Sequence, residues 1–318
     1  MAHYVETMAY VGNTPWHGLG NQLPSNQSLE VWAEQAGLNW TIQSSPVRYV
    51  NAQNSHLGEI LTFDGRQVLY RSDTNMPLSV VSDRYQIVQP AEVLEFYRDL
   101  TEHAGFELET AGVLKGGRKI WALAKTGQTG LVKRTDRTNA YVLLATSCDG
   151  TLATTAQFTS VRVVCNNTLA VAVNGAVQSV KVPHSTQFVA EDVKRDLGIS
   201  VSAWSSFMDN LKVLADRTVK NKEAERFFEH VFTDPTGNAL KPNEAAMKKS
   251  LQLYQGDGMG SQLASSKETA YGLLSAVTEY VDHHRRARST DNRLDSAWFG
   301  NGADIKQRAL DTALMLVA

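Results

Sequence analysis

Hydrophobic stretches bounded by polar turns recur along the first half of the chain, as they do in β-strands. β-branched and aromatic residues are frequent in these stretches, and short polar clusters separate them. The predicted strands cover residues 40–50, 58–71, 78–88, 106–114, 119–125, 141–146 and 151–164. Within the second stretch, Asp64-Gly65 predicts a tight hairpin turn between two shorter strands.

The period of the pattern changes after residue 89. Pro90 can occupy the first position of a helix. Val93, Tyr97 and Leu100 follow at helical spacing. Gly105 then predicts the end of this helix. A run of strands, one helix and more strands predicts an α+β fold, in which the helix packs on an antiparallel β-sheet.

Helical spacing dominates the chain from about residue 186 onward. One apolar stripe with steps of three and four residues predicts a long helix, in which Gly198 is a weak point. The stripe consists of Val193, Leu197, Val201, Trp204, Met208 and Leu211. Further helices are predicted around 227–232, 243–254, 268–286 and 304–317. The sequence therefore predicts a mainly β core domain over 1–185, with one inserted helix, and a helical C-terminal region over 186–318.

The composition is that of an ordinary globular protein. The chain has 318 residues, of which 42% are hydrophobic and 20% charged, enough for one large domain or two modest ones. No apolar run approaches the roughly 20 residues that cross a bilayer, and the N-terminus shows no secretory signal. The two cysteines, Cys148 and Cys165, form neither a disulfide framework nor a CxxC metal motif. We therefore expect a cytoplasmic protein with no membrane partner.

Positive charge is concentrated in one strand-rich segment, residues 114–164. This segment has eight Lys and Arg residues and two Asp, a net charge of +6 in a chain whose total is −2. Such a surface suits a polyanion, most plainly a nucleic-acid backbone. The alternative is that these cations cover the solvated outer faces of strands. Aromatic residues such as Trp121, Tyr141 and Phe158 lie between them, a combination typical of single-stranded nucleic-acid binding.

The candidate nucleic-acid-binding residues are seven cations and two amides. They are Lys115, Arg118, Lys119, Lys133, Arg134, Arg137, Arg162, Asn166 and Asn167. The two amides follow the end of a predicted strand, where they could cap a short helix or contact a phosphate or base edge. Single-stranded DNA is therefore the predicted ligand.

Motifs of the common enzyme classes are absent from the sequence. The chain has no GxGxxG after a strand, no P-loop, no HExxH and no GxSxG. The Gly-rich run 256–260 lacks the lysine that a P-loop places at a helix start, so it is interpreted as a loop between helices. Cys165 could act as a nucleophile with a distant His, but its apolar neighbours favour a buried structural residue. We assign no catalytic residue, no metal ligand and no cofactor.

Five short segments together resemble one known family. They are PWHGLG at 15–20, DRYQIVQP at 83–90, RVVCNNTL at 162–169, TEYVDH at 278–283, and FGNGA at 299–303 followed by Lys306. These segments are similar to the phage/plasmid-like family called domain of unknown function 932, over nearly the full chain. That family occurs in phages, prophages and plasmids and has no established activity. The resemblance therefore implies a mobile-element context rather than a mechanism.

The order of strands, helix and strands also resembles the layout of Rad- and Erf-type single-strand annealing proteins, a likeness of architecture alone. We therefore expect a non-enzymatic phage or plasmid protein, a homo-oligomer that binds single-stranded DNA through the face between residues 115 and 162 and could anneal strands. One alternative is a counter-defence or host-interaction factor whose acidic helical third binds a host protein. Another is an enzyme that uses Cys165.

Overall fold

The computed structural model describes residues 7–12, 20–51, 58–164, 167–173, 176–198, 201–233 and 242–318. The architecture is α+β with a helical C-terminal region, which confirms the predicted fold class. The chain divides into two compact units. The first comprises Met1–Ala124, Leu143–Ala156 and Val180–Asp196, and the second comprises Lys125–Val142, Gln157–Ser179 and Leu197–Ala318. This division does not follow the boundary at residue 185, because single long strands contribute residues to both units.

The described strands are short at the two ends of the β-rich region and long in its middle. In chain order they are β1 (Thr7–Val11), β2 (Asn21–Leu23), β3 (Ile42–Asn51), β4 (Glu59–Arg71), β5 (Pro77–Ser82), β6 (Glu107–Leu114), β7 (Lys119–Val132), β8 (Asp136–Ser147), β9 (Thr154–Arg162), β10 (Asn167–Ala170), β11 (Ala172–Val173), β12 (Ala176–Val177) and β13 (Ser179–Val182).

Most helices lie after the last strand. They are α1 (Leu29–Gln35), α2 (Pro90–Glu95), α3 (Arg98–His103), α4 (Ala190–Leu197), α5 (Val201–Asp216), α6 (Asn221–Phe232), α7 (Glu244–Gln252), α8 (Ala270–Glu279), α9 (Thr290–Phe299) and α10 (Asn301–Met315). A 3-10 turn covers Lys115–Gly117, and π-helical turns cover Leu253–Asp257 and Tyr280–His284. Within the described part of the chain, no helix has both the length and the apolar character needed to cross a membrane.

The strands form two principal sheets. The larger has the order β10-β9-β8-β7-β6-β1-β2, and β13 pairs with β9. In it β1 runs parallel to β2 and antiparallel to β6. The smaller sheet is antiparallel and consists of β3, β4 and β5. Runs of β-branched and aromatic residues identify strands but not their partners, so the sequence pattern did not separate these three strands from the larger sheet.

Asp64 and Gly65 lie inside one continuous strand rather than in a hairpin turn. Two neighbouring residues of β3 pair with Gln67 and Phe63 of β4, so the three residues of β4 between them have no partner on β3 and form a bulge in that ladder. Gly65 has a φ of 74° there, a conformation that glycine adopts without strain. The Asp-Gly signal marks a bulge, and the predicted hairpin is wrong.

The helix predicted after Pro90 packs on the larger sheet but is broken into α2 and α3. Phe96 and Tyr97 at the break are both fully buried. On a continuous helix, adjacent side chains point about 100° apart. The break between α2 and α3 therefore goes together with the burial of both Phe96 and Tyr97. The Tyr97 hydroxyl donates a hydrogen bond to the Ala122 carbonyl of β7 and accepts one from the Leu144 N–H of β8, each at 2.8 Å.

The long helix predicted over 193–211 is likewise two helices, α4 and α5. Gly198 follows α4 with a φ of 49°, the left-handed conformation in which glycine commonly ends a helix. The three- and four-residue spacing of apolar residues continues past Gly198 because each of the two helices has an apolar face. The prediction of one continuous helix is therefore wrong.

Tyr97→Phe tests the anchoring of α2 and α3. We expect this change to lower the free energy of unfolding by about 1–3 kcal/mol, because it leaves the buried Leu144 N–H without its acceptor. Urea unfolding measures the loss. Tyr49→Phe, at a ring that is about half exposed on β3, is the matched control and should change stability little. Equal effects of the two changes would contradict the anchoring role.

Candidate nucleic-acid interface

The structure distributes the predicted cations over the two units. Lys115, Arg118 and Lys119 belong to the first unit. The second unit contains the other four: Lys133, Arg134, Arg137 and Arg162. The candidates are therefore best treated as two sets.

In the first unit, Lys119 is not on the surface. It begins β7, whose first six residues are all buried, because β7 is an inner strand between β6 and β8. Lys115 is half-buried, and Arg118 is exposed. The expectation that these three cations share one exposed face is thus wrong for Lys119.

In the second unit, three cations cluster at one hairpin tip. Residues 133–135 connect β7 to β8, and the side chains of Lys133, Arg134 and Arg137 are exposed there. We call these three residues the basic tip. Lys133 has a φ of 48° and Arg134 a φ of 70°. Two successive side-chain-bearing residues with positive φ are uncommon, since turns of this kind favour Gly, Asn or Asp.

An acidic residue of α5 lies next to the basic tip. The Lys133 ammonium forms an ion pair with the Asp216 carboxylate, and both side chains are exposed. An exposed pair contributes little to stability and is screened by salt. Lys133 is therefore partly neutralised, and most of the accessible positive charge of the tip lies on Arg134 and Arg137.

Arg162, which was expected on the surface, is buried at the end of β9. Its Nε lies 3.0 Å from both carboxylate oxygens of Asp136, and its Nη2 lies 2.5 Å from one of them. Nη2 also donates to the Ser266 hydroxyl at 2.8 Å, and the guanidinium lies 5.1 Å from the centre of the Tyr271 ring. Ser265 donates to Asp136 at 2.6 Å. Arg162 is therefore an internal partner of Asp136, and its assignment to a DNA-binding face is wrong.

Asn167 is also internal. Its side-chain amide donates to the Ser275 carbonyl at 3.2 Å and to the Thr278 hydroxyl at 3.1 Å. Its carbonyl oxygen lies 3.1 Å from Nε2 of His283. These contacts connect β10 to α8, so the amide is not available to a phosphate. Asn166, together with Cys165, lies outside the described residues.

A buried Lys–Asp pair lies next to this amide. Lys306 of α10 donates to Asp282 at 2.8 Å and to the Thr168 hydroxyl at 2.7 Å. Asp282 in turn accepts the backbone N–H of Thr168 at 2.7 Å. Lys306 and Asp282 are each about 5% exposed. The pair therefore fixes the strand β10 against the helical layer.

The Gly-rich run 256–260 is held by a buried carboxylate. Both oxygens of Glu279 accept the backbone N–H of Met259, at 3.0 and 3.1 Å. A Cβ on Gly258 would lie 2.6 Å from the Leu253 carbonyl oxygen, and a Cβ on Gly260 would lie 2.9 Å from a methyl of Val164. Close packing thus requires glycine at these positions. The run begins inside the π-helical turn Leu253–Asp257 and continues into the loop that leads towards α8, so it is only in part the loop that was interpreted from the sequence.

Together these contacts form one buried polar network within the second unit. Its charged members include Asp136, Arg162, Glu279, Asp282 and Lys306. The cavities beside Arg162 measure about 10 and 30 Å³, space for a water-sized group and too little for a nucleotide. Three of the segments that carry the family resemblance supply members of this network. These motifs therefore build the unit rather than a substrate pocket.

The aromatic residues expected to stack on bases are internal as well. Trp121, Tyr141 and Phe158 are each no more than 2% exposed. Phe158 packs against Trp204 in the second unit, with ring centres 6.0 Å apart. Aromatic residues on inner strands fill the core, so these rings present no face to a nucleic-acid base.

The described residues show no reactive thiol or metal cluster. Burial raises the pKa of Cys148 to about 12, so its thiol stays protonated at neutral pH. Among the side chains that the structure describes, no three His, Cys, Asp or Glu residues converge as metal ligands. These residues therefore suggest neither thiolate nor metal chemistry.

The chain belongs to the family described as "Domain of unknown function (DUF932)". The family matches residues 77–298, more than half of the chain, and confirms the resemblance drawn from the sequence motifs. No curated protein and no solved structure matches the chain.

The sequence contained only part of the signal for the buried network. The segments 162–169 and 278–283 and Lys306 were singled out, but their mutual contacts were not, because β10 lies more than 100 residues from its partners on α8 and α10. Two opposite-charge pairs closer in sequence are local hints: Asp136 with Arg162, and Asp282 with Lys306.

Replacing Arg162 separates a structural role from a DNA-binding role. We expect Arg162→Ala to lower the free energy of unfolding by about 3–5 kcal/mol, because it leaves the Asp136 carboxylate buried without its counter-charge. Arg162→Met combined with Asp136→Leu should lose less than Arg162→Met or Asp136→Leu alone, since no uncompensated charge remains. Chemical denaturation of wild type, these two single variants and the double variant measures this cycle. An Arg162→Ala protein as stable as wild type would contradict the internal role.

Proposed function

We propose that this protein is a phage- or plasmid-encoded, cytoplasmic single-stranded DNA-binding protein that contacts the phosphate backbone through the basic tip, Lys133, Arg134 and Arg137. The observation that carries the proposal is the placement of three exposed cations within five residues of one hairpin. Cations so placed can follow a flexible backbone, because Lys and Arg neutralise phosphates without reading the bases.

The backbone of the tip supports a functional role for these residues. Positive φ values are unfavourable for residues with a Cβ, by about 1–3 kcal/mol each, and such residues concentrate at ligand-binding sites. Glycine or asparagine at 133 or 134 would relieve this strain. The tip instead has Lys and Arg, whose charge and reach suit an anionic ligand.

The contact proposed here is less base-dependent than the stacking surface expected from the sequence. Since the neighbouring aromatic rings are buried, phosphate neutralisation would provide most of the affinity. Binding should then vary little with base composition. It should also weaken steeply as salt concentration rises, because each phosphate contact releases counterions.

The proposal is tested with fluorescence anisotropy of labelled single-stranded oligonucleotides at several salt concentrations. We expect Arg134→Ala with Arg137→Ala to weaken binding about tenfold and to flatten the salt slope by about 1.4, two phosphate contacts at roughly 0.7 each. The matched control is Arg195→Ala with Lys212→Ala, which removes two exposed cations on α4 and α5. This control should bind like wild type.

Two outcomes would reject the proposal. One is a wild-type protein that does not bind DNA at low salt, where electrostatic attraction is strongest. The other is an equal loss of affinity in the tip and control variants, which would indicate net charge rather than a site. Either result would favour the alternative hypothesis, a protein-binding factor of a mobile element.

Arg134→Gly should separate stability from binding. We expect it to raise the free energy of unfolding by about 1 kcal/mol, because glycine adopts a positive φ without strain, while DNA affinity falls. Arg137→Gly is the matched control: it removes the same charge from the strand β8, where glycine is destabilising. Thermal melting and anisotropy on both variants measure the contrast. Lower stability in both proteins would show that position 134 is not strained.

A further inference from the structure

Three apolar side chains are exposed next to one another in the second unit. They are Val163 and Val164, which follow β9, and Met259 of the Gly-rich run, and they are 46%, 43% and 45% exposed. The two segments are in contact, because a Cβ on Gly260 would lie 2.9 Å from a methyl of Val164. An isolated exposed apolar residue needs no explanation, but these adjoin. We call Val163, Val164 and Met259 the apolar patch.

The apolar patch borders the basic tip. The Val163 N–H donates to the Arg137 carbonyl at 2.9 Å, so the patch begins one backbone hydrogen bond away from a residue of the tip. The side chains of Arg137 and Val163 are both exposed. A ligand that contacts the cations of the tip therefore has the apolar patch within its reach.

Buried contacts fix the apolar patch in this position. The Arg162 guanidinium donates to the Gly260 carbonyl at 3.4 Å and pairs with Asp136, the residue before Arg137. The buried Glu279 carboxylate accepts the Met259 N–H at 3.0 Å. One ion pair thus connects the strand of the tip to the Gly-rich run. Because the patch and the tip are held in place before any ligand arrives, binding would not have to order them.

Charges of opposite sign flank the apolar patch. The cations of the basic tip lie on its Val163 side, and Asp257, which is exposed, lies two residues before Met259 on the other. An anionic group is attracted to the first side and repelled from the second. This arrangement favours a ligand that is anionic at one edge and apolar at the other.

Single-stranded DNA has this character. Its phosphates form an anionic edge, and the faces of its unpaired bases are apolar and accessible. Every base has such a face, so contact with it does not require a particular sequence. Apolar side chains, Met among them, contact base faces in this way in other nucleic-acid-binding proteins. A duplex offers the same phosphates but encloses its bases in the stack.

We propose that the apolar patch is the base-contacting part of the DNA site, an inference that rests on the function proposed for the basic tip. Phosphates lie at Arg134 and Arg137, and unstacked bases lie over Val163, Val164 and Met259. The two parts then have separate effects. The tip determines how steeply binding depends on salt, and the patch determines the preference for strands whose bases are accessible.

The test compares three labelled ligands of equal length by fluorescence anisotropy: a normal single strand, an abasic single strand and a duplex. The abasic strand has the phosphates and lacks the bases. We expect wild type to bind the normal strand about tenfold more tightly than the abasic strand, and more tightly than the duplex. Val164→Ser with Met259→Ser should lose most of this preference and keep the salt slope of wild type, since no phosphate contact is removed.

Two sets of controls accompany this variant. Val80→Ser with Met76→Ser changes one valine and one methionine that are exposed in the first unit, and it should bind all three ligands like wild type. Arg134→Ala with Arg137→Ala should weaken binding to the normal and abasic strands by the same factor and so keep the preference. Circular dichroism and thermal melting check folding. Should the patch double variant unfold, Met259→Gln against Met76→Gln tests the same contact with a milder change.

The outcomes distinguish this inference from the function on which it rests. Loss of the patch and loss of the bases should not add, because each removes the same contact. Equal binding of normal and abasic strands by wild type, or a patch variant that keeps the wild-type preference, would overturn the inference and leave the phosphate contact at the tip standing. Loss of the preference in the Val80 and Met76 control would overturn it as well. A wild type that binds neither single strand at low salt would reject both proposals.

Discussion

The second unit depends on the buried ion pair between Arg162 and Asp136. Each charge alone would be strongly destabilising in the interior, and the pair is tolerated because Ser265 and Ser266 satisfy further hydrogen-bonding groups. These four residues belong to β8, β9 and the segment that precedes α8. The pair therefore fixes how the strands and the first helix of the following layer fit together. The Lys306–Asp282 pair repeats the same solution between β10 and α10.

Much of the architecture follows from local patterns, and the errors have local causes. Runs of β-branched and aromatic residues between polar turns located β3 to β9, and helical spacing located most of the C-terminal helices. The hairpin predicted at Asp64-Gly65 is wrong because a bulge and a hairpin turn can both need a residue with positive φ. The dipeptide alone does not distinguish the two. To predict the helix breaks at Phe96–Tyr97 and at Gly198, one must know which side of each helix becomes buried. The spacing of apolar residues in a single stripe does not give that information.

The candidate site was less predictable than the fold, because charge counts do not say where a side chain points. Arg162 and Lys119 contributed to the local excess of positive charge, but both are buried. Asp136 was counted as one of two acids that reduce the net charge, although it is the partner that draws Arg162 inward. Distant residues decide such outcomes: Lys306 reaches Thr168 across 138 positions of sequence. Within the basic segment, Lys133, Arg134 and Arg137 are exposed as a cluster at the hairpin tip, whereas Arg118 of the first unit is exposed by itself.

The two kinds of cation in this chain have opposite relations to stability. Arg162 and Lys306 are fixed by buried counter-charges, and losing either partner would be expected to destabilise the second unit. Lys133 and Arg134 lie in a strained turn that glycine would relax, so their presence lowers stability. A residue that lowers stability is retained when it has a role other than folding. The network of buried pairs provides the rigid base on which such a tip can be tolerated, because strain persists only where the surrounding structure holds it. For that reason the proposed contact with DNA phosphates is confined to the tip and does not extend along the whole basic segment.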